Sequence, residues 1–200
     1  MKKLASTLPN MILSLGIITA VAGALLGVVY DSTKEPIAAM QKEQQVAAIR
    51  EVAPPFDNDP EADAWKTDVD GYSFVVYPAY MQGKLQGAAV MGGSMNGFAG
   101  EITVMCGFDL EGTVRNYQVL SQAETPGLGS KMQLWFRDPT GARSVIGKNP
   151  ATTPFYVTKD QASNGQIDAI TAATISSRAF LETLRNAYSS YIEYTKEKNK

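Results

Sequence analysis

The sequence predicts an α+β domain, an antiparallel sheet with a packed C-terminal helix, carried on a single N-terminal transmembrane helix. Three observations predict it. A long uncharged apolar run opens the chain, the middle alternates apolar and polar residues between short turns, and the last stretch repeats apolar residues at intervals of three and four.

The first element is the membrane helix. From Leu4 to Tyr30 there is no charge, and Met11 to Tyr30 is almost wholly apolar or small. About 20 such residues at a rise of about 1.5 Å match a hydrocarbon core of roughly 30 Å. A cleaved signal peptide is the competing reading, with Lys2-Lys3 as its basic region and Ala22-Gly23-Ala24 as its cleavage site. The apolar run continues past that site, which favours an anchor. Lys2 and Lys3 then stay in the cytoplasm, and everything after Tyr30 lies outside. Gly23 and Gly27 form a GxxxG with Gly16 near the same stripe, which suits either close packing on a neighbouring helix or ordinary glycine content.

Thr33 to Val52 reads as a juxtamembrane helix, with Pro36 near its start and Ile37, Met40, Val46, Ile49 and Val52 among polar residues. Pro54-Pro55 ends it, and Phe56 to Asp63 is a polar connector. From Gly71 the period becomes two. Tyr72, Phe74 and Val76 alternate up to Pro78, and Leu85 to Met91 resumes the pattern after Gln82-Gly83-Lys84. Asn96 to Gly100 is a glycine-rich turn, Glu101 to Phe108 places Ile102, Val104, Cys106 and Phe108 on one face, and Asp109 to Gly112 turns into Thr113 to Leu120. Consecutive strands with short turns predict antiparallel pairing. A helical stretch around Lys131 to Phe136 and a strand at Phe155 to Thr158 follow, then a polar turn at Asp160 to Gln166. The last helix begins near Ile175, with Ala179, Phe180, Leu184, Ala187, Tyr188, Tyr191 and Ile192 on its apolar face. The chain thus divides into a tip and transmembrane helix (1–32), a juxtamembrane helix and connector (33–63) and an extracytoplasmic domain (64–200).

Composition excludes several functions. The 200 residues hold 18 basic and 20 acidic side chains, and two of the lysines precede the membrane run, so no basic patch for nucleic acid is expected. There is no histidine and one cysteine, Cys106. That rules out a His-based triad, a Cys/His zinc site built from this chain alone, an internal disulfide and a cysteine set for an iron–sulfur cluster. Cys106 reads as a small core residue; a thiol shared with a partner's metal centre is the sharper alternative. No catalytic or metal-binding residue is assigned.

Two motifs remain. Glu124-Thr125-Pro126-Gly127-Leu128-Gly129 contains Pro-Gly, which favours a type II turn, and glycines flanking Leu128 expose backbone N–H groups, with Lys131 as a nearby cation. Alone it is a surface turn. Thr171-Ala172-Ala173-Thr174, with Asp168 before it and Ile175-Ser176-Ser177 after it, is alone a helix cap.

Together they carry a resemblance. Gly97-Phe98-Ala99-Gly100-Glu101-Ile102, then ETPGLG with Lys131 two positions on, then Asp168 to Ser176, make the chain resemble the FMN-binding G subunit of Rnf-type electron-transport complexes, and the homologous C subunit of the sodium-translocating NADH:quinone reductase. The resemblance covers essentially the whole chain. It implies one covalent FMN per chain, a phosphoester on Thr174 within the motif that includes Ala172 and Ala173. Thr171 and Ser176 would bond phosphate oxygens, Asp168 would order the turn or be read by the flavin transferase that loads the cofactor, and Glu124, Thr125, Gly127, Leu128, Gly129 and Lys131 would form the loop beside the flavin. Free N–H groups at the start of the following helix would stabilise the remaining phosphate charge. It further implies an electron carrier in the bacterial cytoplasmic membrane, in contact with lipid and with the other membrane and peripheral subunits of a complex that couples ferredoxin oxidation and NAD⁺ reduction to outward movement of Na⁺ or H⁺. Two alternatives stay open: a stand-alone extracytoplasmic flavoprotein, and a non-redox anchored assembly or binding protein that keeps the fold without flavin.

The sequence departs from the family in two places. Ala172 stands where glycine is usual, which costs about 1 kcal/mol or more if φ is positive there and nothing if the residue is helical. The histidine common just before ETPGLG is absent, with Gln122 and Ala123 in that region. Trp135, Phe136, Phe155 and Tyr156 are candidates to stack on the isoalloxazine ring, none of them assigned.

Overall fold

A computed structural model describes residues 7–198. Lys2 and Lys3, on which the predicted orientation rests, lie outside the described residues. The chain divides into two compact units, one ending at Gln44 and the other starting at Gln45. The boundary drawn from composition at 63/64 therefore falls inside the second unit.

Helix α1 runs unbroken from Leu8 to Val52 and contains a stretch long and apolar enough to cross a membrane. The sequence suggests two helices here, with Pro36 opening the second. Pro36 instead sits inside one helix. A proline removes a single i→i−4 bond, and the flanking turns are otherwise favourable. Just upstream, Ser32 and Thr33 donate their hydroxyls to the carbonyls of Val28 and Val29 at 2.8 and 2.9 Å.

In the second unit, the strands β1 (Trp65–Val69), β2 (Tyr72–Met81), β3 (Lys84–Gly97), β4 (Gly100–Asp109) and β5 (Val114–Gln122) form one antiparallel sheet in sequence order. Asp70-Gly71 and Gln82-Gly83, all at positive φ, close the first two hairpins as two-residue turns. β2 continues through Pro78, where the sequence alone stops it. β1 pairs only as far as Val76, so Pro78 lies past the end of its neighbour, where a missing N–H is tolerated. The connector covers that edge instead, through Asn58 Nδ2 to the Pro78 carbonyl and the Tyr80 N–H to Asn58 Oδ1.

Both faces of the sheet are covered. Ile102, Val104, Cys106 and Phe108 share the main core, as their alternation predicts, while Met105 points to the opposite face. There the last turns of α1 bury Ala48, Ile49 and Val52, and Gly107 lets them close in, since a β-carbon on it would meet the Val52 carbonyl oxygen at 1.9 Å. Burial pushes the Cys106 thiol far above its usual pKa, which makes it an unreactive core group.

The main face carries α3 (Thr174–Lys198), which lies across β3 and β4 and buries Ala179, Phe180, Leu184, Ala187 and Tyr191. Phe180 stacks on Phe136 with centroids 4.5 Å apart and meets Tyr117 edge-on at 4.9 Å. A fully buried phenylalanine of this kind contributes roughly 2–3 kcal/mol. Phe136 directly follows the short helix α2 (Met132–Trp135), which itself follows a 3₁₀ turn over Gly129–Lys131. The strand expected at Phe155 to Thr158 does not form. Phe155 and Val157 alternate inward as a strand would, but the polar turn folds the chain back at once, and the only pairing there is an isolated parallel bridge from Val157 to Ile167.

Candidate flavin-attachment site

Three segments distant in sequence meet at the start of α3: the β3–β4 turn, the loop after β5 and the Thr171–Ser177 segment. Glu124 joins them. It is 5% exposed; one carboxylate oxygen accepts the Ala99 N–H at 3.1 Å from the β3–β4 turn, and the other accepts the Ser176 hydroxyl at 2.6 Å from α3. The turn and loop close in on this carboxylate because they carry glycine. A β-carbon on Gly97 would lie 2.8 Å from Glu124 Oε1, and one on Gly129 would lie 2.5 Å from both Glu124 Oε2 and Ser176 Oγ.

The loop has the predicted turn. The Leu128 N–H reaches the Thr125 carbonyl at 3.1 Å across Pro126-Gly127, with Gly127 at φ +76°. Ser130 Oγ caps it by accepting the Gly127 N–H at 3.0 Å. The Thr171–Thr174 motif makes a second turn of the same kind. The Ala173 N–H bonds the Ile170 carbonyl at 3.0 Å and Ala172 has φ +61°, so the position needs the left-handed region and alanine occupies it under strain. Ser177, fully buried, fastens this turn to the helix: its hydroxyl accepts the Ile170 N–H at 2.9 Å and donates to the Ala173 carbonyl at 2.9 Å.

Thr174 is the first residue of α3, and the first i→i−4 bond of the helix runs from the Ser177 N–H to the Ala173 carbonyl at 3.0 Å. The amides of Thr174, Ile175 and Ser176 precede it and lack an intrahelical acceptor. They form a site of partial positive charge, suited to an anion. A cavity of about 340 Å³ opens there, walled by Phe98, Glu124, Thr125, Leu128, Gly129 and residues 172–176. Its walls are mostly apolar, and Thr174 places an aliphatic hydroxyl among them. The residues present fit an FMN tethered by its phosphate: a hydroxyl for the ester, open amides for the charge and apolar side chains for the ring.

Of the residues singled out in the sequence, Ala172, Ala173, Thr174, Ser176, Glu124, Thr125, Leu128 and Gly129 line this cavity; Thr171, Gly127, Lys131 and Asp168 do not. Ser176 has its hydroxyl proton engaged by Glu124. Asp168 orders the neighbouring loop, since its carboxylate accepts the Ala142 N–H at 3.1 Å and its carbonyl accepts the Trp135 indole N–H at 2.8 Å. None of the four aromatic candidates lines this cavity. Phe136 and Phe155 are core, Trp135 lies under the Arg143 guanidinium, and Tyr156 lies under that of Arg185. The aromatic at the cavity is Phe98, 69% exposed in the β3–β4 turn, joined by the half-exposed Ile175. In the sequence Phe98 is legible only as part of a motif, although an aromatic between turn glycines has no core to enter. Among the described residues no cluster of three or more His, Cys, Asp or Glu could hold a metal.

Residues 97–189 match the FMN-binding domain family. The chain is 34% identical to the G subunit of an ion-translocating oxidoreductase complex of Cereibacter sphaeroides, over 86% of the chain and 78% of that protein. It is 31% identical to the protein of that name from Methanosarcina acetivorans, over 89% and 91%, and 29% identical to one from Aliivibrio fischeri strain MJ11, over 96% and 94%.

Proposed function

We propose, because the chain belongs to the family of G subunits of ion-translocating oxidoreductase complexes, that it is the electron-transfer subunit of such a complex and carries one FMN esterified to Thr174. One observation carries the reading: the three segments that meet around Glu124 all lie within the FMN-binding match, and they converge on a threonine at a helix start. Of the three hydroxyl residues in the cavity wall, Ser176 is bound to Glu124 and Thr125 stands on the exposed loop, while Thr174 lines the cavity at the first position of α3.

Thr174 Oγ1 would hold the FMN phosphate as an ester; loading from FAD would break its phosphoanhydride and release AMP, with the hydroxyl proton taken up outside this chain. A Mg²⁺-dependent flavin transferase supplies that activation, which suits a protein without histidine. Once bound, the flavin supplies reversible electron uptake and release. The chain's own residues hold and shield it. The first amides of α3 balance the phosphate charge, Phe98, Leu128 and Ile175 exclude water from the ring, and Glu124 keeps the three segments in register.

In this reading α1 anchors the domain in lipid with its N-terminus in the cytoplasm and the flavin outside, where a tether prevents loss of a cofactor that could not easily be replaced. The complex passes electrons from ferredoxin to NAD⁺ and moves Na⁺ or H⁺ outward, the ion path residing in other subunits. The test is in-gel flavin fluorescence after denaturation, with the transferase coexpressed. The wild-type band fluoresces and Thr174→Ala does not, and peptide mass places the modification between Thr171 and Arg178. A dark wild-type band supports the non-redox alternative, and modification at Thr171 overturns the assignment.

A further inference from the structure

Helix α3 carries Thr174 at its first position and Arg178 four residues later. Residues at i and i+4 share a helix face, and helical side chains lean toward the N-terminus, so Arg178 leans over the turn that Thr174 begins. Arg178 also lines a groove of about 400 Å³ that adjoins the Thr174 cavity, since Ile175 lines both. In that groove its guanidinium meets Asp160, with Nε 3.1 and 3.0 Å from the two carboxylate oxygens and Nη2 2.5 Å from Oδ1. Asp160 is itself fixed by the backbone of its turn, whose Ser163 N–H bonds its carbonyl at 3.0 Å while its own N–H reaches the Val157 carbonyl at 2.8 Å.

The other charged groups of the groove are committed. Arg185 lies 3.9 Å over the Tyr156 ring and donates to the Phe155 carbonyl, while Glu182 accepts from Ser94 and Asn96. Arg178 keeps spare capacity. A guanidinium has five N–H donors, the Asp160 pair engages its Nε edge, and about half of the side chain is exposed.

A phosphodiester on Thr174 would bring one negative charge to a cavity whose wall, among the described residues, contains no cation. The ionisable side chain in that wall is Glu124, already an acceptor. Lys131 is exposed and outside the wall. The helix terminus supplies only about half a positive charge. Resting on the reading that Thr174 carries FMN, we infer that Arg178 is the counter-charge and positioning residue of the esterified phosphate. Asp160 holds one edge of the guanidinium and fixes its direction, and the remaining donors engage phosphate oxygens. A fork of this shape suits phosphate better than an ammonium group does.

The test uses the full chain in detergent, coexpressed with the transferase, and compares each variant with its Thr174→Ala counterpart. Two quantities are read: the phosphorus NMR resonance of the diester and the rise in thermal midpoint that flavinylation brings. Arg178→Gln should shift the resonance and remove about 3–6 °C of that rise, the effect of losing one charge-assisted contact. In the Thr174→Ala background it should change the midpoint by less than about 2 °C, because an exposed ion pair contributes little. Arg178→Lys should restore part of the rise. Asp160→Asn should retain most of it, since the guanidinium is still present and the asparagine carbonyl still accepts from it, and should lose only the share that the carboxylate's hold on its direction supplies. An unchanged resonance and rise in Arg178→Gln overturns the inference, and so does an equal loss in Asp160→Asn, which would make the ion pair itself the stabilising feature. Wild-type chain without flavin on Thr174 overturns this inference together with the reading beneath it, an outcome that peptide mass tells apart from the other two.

Discussion

Glu124 and Ser176 lie 52 positions apart in the sequence and share a hydrogen bond of 2.6 Å in a buried contact at the root of α3. The second carboxylate oxygen bonds the Ala99 amide, so one side chain fixes two other segments of the site. A buried carboxylate is expensive to desolvate and persists only where its oxygens are paired. Glycine at 97 and 129 makes that pairing possible by leaving room for it.

Glu124→Ala should therefore cost roughly 2–3 kcal/mol of stability, because two donors lose a charged acceptor in a dry site. Glu124→Gln keeps one carbonyl oxygen and an amide that a rotated Ser176 hydroxyl can meet, at a cost of about 1 kcal/mol. Urea titration of the detergent-solubilised chain measures both. Flavin yield should fall in the same order, since the alanine variant frees the loop from the helix start. Equal stability for all three proteins would remove Glu124 from its joining role.

Ala172 gives the opposite sign. At φ +61° its β-carbon crowds the backbone, and glycine would relieve about 1 kcal/mol while returning part of that to the entropy of the unfolded chain. Ala172→Gly should raise the thermal midpoint by about 2 °C with flavin yield kept or increased. Ala172→Val should lower both, a β-branched residue being least tolerant of this conformation. A lower midpoint for the glycine variant would show that the turn is not strained at this residue.

The two glycines of the ETPGLG loop should respond differently to alanine. At Gly129 a β-carbon would be 2.5 Å from Glu124 and Ser176, so Gly129→Ala must displace the joining carboxylate. A loss of about 1–3 kcal/mol and of most flavin incorporation is expected. Gly127 has open space around it but φ +76°, so Gly127→Ala carries only backbone strain, about 1 kcal/mol, and leaves incorporation near wild type. Comparing in-gel flavin fluorescence of the two variants at equal protein separates a crowded site from a strained turn. Equal losses of fluorescence would reject the distinction.

Much of this organisation is written in local patterns. Alternation places Ile102, Val104, Cys106 and Phe108 in one core, and the three-four spacing of α3 names its buried face, because burial on one side leaves a periodic trace. β1 escapes that reading: at a sheet edge, half-buried Trp65, Thr67 and Val69 alternate with exposed Lys66 and Asp68, so no residue of it is fully buried, although Asp70-Gly71 after it is a hairpin signal. Pro36 and Pro78 mislead in the same way, since a proline forbids one hydrogen bond and tertiary surroundings decide whether that bond was needed. At the site the two motifs are legible as letters, but their meeting through Glu124 is not, because a contact across 52 positions has no period. The neighbours of the stacking candidates are hidden from the sequence for a related reason. Trp135, Phe136, Phe155 and Tyr156 each found another neighbour, and Phe98 is left at the cavity.

The main core, between the sheet and α3, also sets an alkaline limit to stability. Tyr117, Tyr191 and Tyr194 are buried, and burial, the leading cause in each case, pushes their phenols upward, that of Tyr191 to about 12. In the unfolded chain a phenol ionises near pH 10, at about that value for each. Above it the unfolded state binds fewer protons than the folded one, so stability is fully present below about pH 10 and is lost as pH rises through the folded values, by up to about 1.4 kcal/mol per pH unit for each phenol. Tyr191 has a second property: its hydroxyl is buried with no hydrogen-bond partner among the described residues, while its ring stacks on Phe108 at 5.6 Å. Tyr191→Phe keeps the stack and removes the unpaired hydroxyl, so it should be neutral or gain about 1 kcal/mol at neutral pH. The same substitution should make the alkaline decline shallower. Urea midpoints between pH 7 and about pH 11.5, with tyrosinate absorbance followed in parallel, measure both effects within the window that the unfolded phenol value sets. A large loss of stability at neutral pH would mean that the hydroxyl does have a partner, and an unchanged alkaline slope would assign the decline to the other two phenols.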